Sequence, residues 1–161
     1  MRRGDQKQRL FAGLVQDLRE RISKGHPVFS ADQISTLVEY GHSFEPRRIR
    51  YLLGASGKCL EIAHKNLLKH GDWSLWMGFV LNGEYWSAHA WNRTPRGWFI
   101  EPNARLGQVQ LYYGFEAATG PKELARRGLS ANKIKEFDAY TNPLAFPLRS
   151  ERSKTKAKQH R

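Results

Sequence analysis

The apolar positions along the chain change period near residue 72. Before it they recur at helical spacing. Leu10, Leu14, Val15, Leu18 and Ile22 form one stripe with Arg and Lys between them, which predicts an amphipathic helix over 6–24, ended by Gly25-His26-Pro27. Ser30 is placed to cap a second helix over 31–40, closed by Gly41. Pro46, read as a first helical residue, predicts a third short helix through Leu53. The small-residue turn Gly54-Ala55-Ser56-Gly57 leads into a fourth helix over 58–69, stopped by Gly71. From Trp73 onward the pattern is that of strands. They are expected over 73–81, 85–92 and 97–101, with a turn at Asn82-Gly83 and another at 93–96, and then over 108–115. A short helix over 121–127 and a last strand over 135–140 complete the set.

Helices followed by strands predict an α+β domain, with a helix packed on an antiparallel sheet. The expected unit is a single domain over 1–148, with a helical part over 1–53 and a core over 54–148. Residues 149–161 carry many Lys and Arg and no aliphatic or aromatic side chain except Ala157, which predicts a disordered basic tail. With 40% hydrophobic residues the chain has enough apolar material for a core, and no apolar run approaches the ~20 residues of a membrane span. The N-terminal residues do not read as a secretory signal. One cysteine forms no internal disulfide, so a cytoplasmic setting is expected. Neither a cofactor nor a metal is expected.

Charge adds a possible partner. The formal net charge is +12, from 27 Lys and Arg against 15 Asp and Glu. Such a field favours nucleic acid or an acidic protein. Arg47, Arg48 and Arg50, and in the tail Arg152, Lys154, Lys156 and Lys158, are the candidates for an anionic partner.

The candidate chemistry begins at Cys59. In the first turn of a helix, free backbone N–H groups and the helix dipole stabilise a thiolate, and Lys58 adds to this. The same N–H groups suit a developing oxyanion. Cys59, Ile62, Ala63, Asn66, Leu67 and His70 share one face, so the thiol is expected to point at the sheet. By alternation Tyr85, Ser87, His89 and Trp91 share a strand face. A hairpin symmetric about Pro95 pairs Trp91 with Phe99 and His89 with Glu101, with opposed Cβ atoms roughly 5 Å apart. Glu101 then accepts from one ring nitrogen of His89 and leaves the other for the thiol; Asn103, of the same parity, is the second choice.

A helix-start cysteine, a strand histidine and an acidic or amide residue on the next strand occur here in that order. Gly57-Lys58-Cys59-Leu60-Glu61-Ile62-Ala63, His89-Ala90-Trp91 and Trp98-Phe99-Ile100-Glu101-Pro102-Asn103 together resemble the papain-like and transglutaminase-like cysteine hydrolase superfamily, in its small bacterial and phage forms. The resemblance spans roughly residues 51–115. It implies a nucleophile Cys59, a general base His89, an orienting Glu101 where the family usually has Asp, and acyl chemistry on an amide, ester or thioester of a protein or peptide. Ser56, Gly57, Lys58 and Trp91 are the candidates around the oxyanion and the substrate.

Other signals are weaker. Gly54–Lys58 lacks the spacing and the following Ser or Thr of a phosphate loop. Cys59 and His64 lie about 140° apart around a helix and do not make a zinc site. Five tryptophans with Tyr112 and Tyr113 suit nucleobase stacking, though such residues more often fill a small sheet's core. The alternative to an enzyme is a basic binding module for nucleic acid or an acidic protein, an inhibitor or adaptor in which Cys59 is only core.

Overall fold

The computed structural model describes residues 3–25, 29–45, 47–52, 58–83, 85–102, 109, 111–126 and 145–147. The protein is α+β. Helix α1 covers Arg3–Ser23 and α2 Ala31–Tyr40. The predicted cap is present in full: the Gln33 N–H donates to Ser30 Oγ at 3.2 Å and the Ser30 N–H donates to Gln33 Oε1 at 2.9 Å. This capping box satisfies two backbone donors that the first turn leaves open.

The expected third helix is not formed. Strand β1 over His42–Phe44 precedes that segment, and strand β2 over Ile49–Tyr51 stands in the helix's place. Ile49-Arg50-Tyr51 is a β-branched and aromatic stretch, and sheet pairing overrides the helix-start signal of Pro46. Arg48 between them takes φ 55 and gives its carbonyl to the Phe99 N–H. Helix α3 over Cys59–Lys69 follows, then the long strands β3 (Ser74–Asn82) and β4 (Tyr85–Arg93), joined at Asn82-Gly83 as expected. Strand β5 is Phe99–Glu101, β6 is Leu111–Thr119, α4 is Pro121–Arg126 and β7 is Ala145–Pro147. The last was not anticipated. The strand expected over 135–140 and the basic tail fall outside the described residues.

The strands form one seven-stranded sheet of order β1-β6-β3-β4-β5-β2, with β7 on β4. It is mixed rather than wholly antiparallel, because β2 runs parallel to β5. Helices α1, α2 and α3 cover one face, and their Leu14, Leu18, Ile34, Leu37, Leu60 and Leu67 meet Met77, Phe79, Ala88, Ala90 and Phe115. No helix among the described residues is long and apolar enough to cross a membrane.

The other face is concave. Neighbouring strands lie about 4.8 Å apart, so β1 and β5 would be separated by roughly 19 Å in a flat sheet. Yet the rings of Phe44 on β1 and Phe99 on β5 are 5.6 Å apart, and those of Tyr112 on β6 and Phe99 are 4.8 Å apart. The curl crowds the concave side, and two facing glycines relieve it. Gly78 and Gly114 are register partners on β3 and β6, and a Cβ on Gly114 would stand 2.6 Å from the outer ring of Trp91.

Candidate active site

Three of the four residues expected to carry chemistry come together. Cys59 opens α3, with Lys58 as an exposed cap residue that supplies no side-chain cap bond. His89 lies mid-way along β4, and Glu101 ends β5. His89 Nε2 and Glu101 Oε1 are 2.6 Å apart, and the Cys59 side chain is the second hydrogen-bond partner of the same ring. On its β5 and β7 side, β4 has described ladder partners only at Tyr85–Ser87 and Asn92–Arg93.

The hairpin register differs from the expected one. Asn92 pairs with Ile100 and Arg93 with Phe99, so the turn is centred on Arg96 rather than Pro95. The Thr94 N–H donates to the Trp98 carbonyl at 3.0 Å, which closes this longer turn. The ladder is displaced by two residues. Because strand faces repeat every two residues, Glu101 keeps its face and becomes the diagonal neighbour of His89. A glutamate is long enough to span that diagonal. Asn103, like Ser56 and Gly57, lies outside the described residues.

The site is dry. Exposure is 6% for Cys59, 3% for His89 and 0% for Glu101. Burial is the largest influence on His89 and works against its proton. The Glu101 carboxylate and the hydrogen-bonded Cys59 outweigh it and raise the pKa from 6.5 to about 10. Glu101 Oε2 accepts from the Tyr112 hydroxyl at 2.7 Å, so both carboxylate oxygens are engaged. Burial, and then the charge of Glu101, push that hydroxyl well above its usual range, and it stays a donor at any ordinary pH. Tyr112 was not foreseen as a site residue. Only the curl of the sheet brings β6 to β5, and no local pattern announces it.

Trp91 is fully buried. It stacks at 21° on the His89 ring with centroids 6.2 Å apart, and its edge meets Tyr112. It therefore walls the histidine rather than standing at an open surface. Arg47, Arg48 and Arg50 are exposed on and beside β2, the strand that pairs with β5; the four tail residues Arg152, Lys154, Lys156 and Lys158 lie outside the described part. Among the described residues no group of three or more His, Cys, Asp or Glu could hold a metal ion.

A cysteine, a histidine and a carboxylate in series can generate a thiolate, hold it beside an imidazolium and fix the ring by its far nitrogen. No protein-family model, curated protein or solved structure matches the chain.

Proposed function

We propose that the protein is a cysteine-dependent hydrolase or acyltransferase of papain-like or transglutaminase-like type, acting on an amide or thioester bond of a protein or peptide. The observation that carries this reading is the single histidine ring held between Glu101 and the only cysteine. With Nε2 on Glu101, Nδ1 is the nitrogen left for the thiol. Cys59 Sγ attacks the substrate carbonyl and its proton resides on His89. That proton then passes to the leaving group, and a thioester remains on Cys59. Water or an acceptor amine, deprotonated by His89, releases the acyl group. Glu101 does not react; it holds the ring and stabilises its charged form. Backbone N–H groups at the start of α3 are the candidates for the oxyanion. A free thiol as nucleophile accords with a reducing, cytoplasmic setting.

Burial of all three side chains favours one competing reading, a closed polar network that braces the fold. Reactivity separates the two. As Cys59 is the only cysteine, iodoacetamide reports on it alone. For the enzyme, carboxymethylation of the folded protein at pH 7 is expected to outpace that of a free thiol, and His89→Ala to slow it. A native protein that is not alkylated until it unfolds rules the enzyme out.

A further inference from the structure

The turn between β4 and β5 separates two clefts that share Arg96. One, of about 520 Å³, is edged by Lys7, Arg47, Arg48, Arg93 and Arg96. Its acidic residue, Glu45, is already paired with Lys7 at 2.9 Å. The Arg93 guanidinium lies 4.5 Å from the centre of the Phe44 ring and 4.8 Å from that of Phe99, and its buried Nε has no hydrogen-bond partner. Stacked in this way, the guanidinium is held by apolar faces, and the charge of Glu116 also acts on it. Arg48 holds its place in the cleft at φ 55, a left-handed conformation that costs a non-glycine residue energy.

The other cleft, of about 540 Å³, is mostly apolar. Ile49, Trp73, Pro95, Trp98 and Ile100 line it, with Arg50 and Arg96 at its edge and Asp72 as its acidic group. Trp98 is 41% exposed there, and Tyr51, next to Arg50 on β2, is 47% exposed. Large aromatics open to solvent beside exposed arginines provide a flat surface and a charge track together.

We propose that these two clefts, on either side of Arg96, together bind single-stranded nucleic acid. Phosphates sit against Arg47, Arg48, Arg93 and Arg96, and a base stacks on Trp98. A purely acidic polypeptide would use the arginines and leave the indole idle; a nucleotide strand uses both. The site is separate from Cys59, so the proposal stands or falls independently of the enzymatic reading.

The test is fluorescence anisotropy of a labelled oligothymidylate of roughly 12 nucleotides against the full chain at about 50 and 200 mM salt. Affinity is expected to fall steeply with salt, with Arg96→Ala lowering the slope by roughly 0.7. Trp98→Ala is expected to weaken binding roughly five-fold or more, and Cys59→Ala to leave it unchanged. Absence of binding at the lower salt overturns the proposal. So does binding unaffected by both Arg96→Ala and Trp98→Ala, which assigns it to charge elsewhere in the chain. Oligoglutamate of equal length binding as tightly as the oligothymidylate overturns it in favour of an acidic protein partner.

Discussion

Asn92 and His89 are neighbours on one strand, both buried and both hydrogen-bonded, yet they do opposite things. Asn92 faces α3. Its amide donates to the Ala63 carbonyl at 2.9 Å and to the Ser74 carbonyl at 3.3 Å, and its oxygen accepts from Asn66 at 3.1 Å. This neutral amide ties helix to sheet and does not ionise. His89 faces the concave side, where Glu101, Tyr112 and Trp91 surround an ionisable ring. The same strand thus carries a neutral fastener on one face and an ionisable ring on the other. A buried polar group is not in itself a sign of chemistry. What distinguishes the second network is an ionisable ring hydrogen-bonded to a buried carboxylate and to the Cys59 side chain.

The contrast breaks hardest at Glu101. Glu101→Gln leaves a buried histidine without its counter-charge and is expected to destabilise the fold by about 3–5 kcal/mol in urea unfolding. It should also flatten the pH profile. The folded pKa of His89 lies above its ordinary 6.5, so its stabilisation is complete below that value and is lost as pH rises through about 10. Alkaline loss in the wild type that persists unchanged in Glu101→Gln would detach it from this pair. Tyr112→Phe removes one donor to a buried carboxylate, with an expected cost of about 1.5–3 kcal/mol that differential scanning calorimetry would register as a lowered Tm. The smallest effect is expected at Asn92→Ala, about 1–3 kcal/mol for unpaired carbonyl and amide groups, with the same value at pH 6 and pH 9. A pH-dependent cost at Asn92 would erase the distinction between the two faces.

Much of this was legible in the sequence, and the limits are physical. The stripe of α1 and the Ser30 box of α2 are local signals, and the structure keeps both. Cys59 at a helix start was read from the turn residues before it, and His89 and Glu101 from strand parity. Parity survived an error in the turn because the ladder moved by two residues rather than one. The segment around Ile49 was misread because its strand exists only through a distant partner, β5. Tyr112 escaped for a related reason: its bond to Glu101 depends on how far the sheet bends, and that is a property of all the strands together.

The facing glycines Gly78 and Gly114 hold the buried carboxylate's partners together from a distance. Residues 89, 101 and 112 come from three strands, and β3 lies between two of those strands in the sheet. Tyr112 reaches Glu101 because the middle of the sheet is bent, and the bend uses the space that the absent side chains leave. A side chain at either glycine would oppose that bend and draw the Tyr112 hydroxyl away from Glu101, leaving a buried carboxylate one donor short.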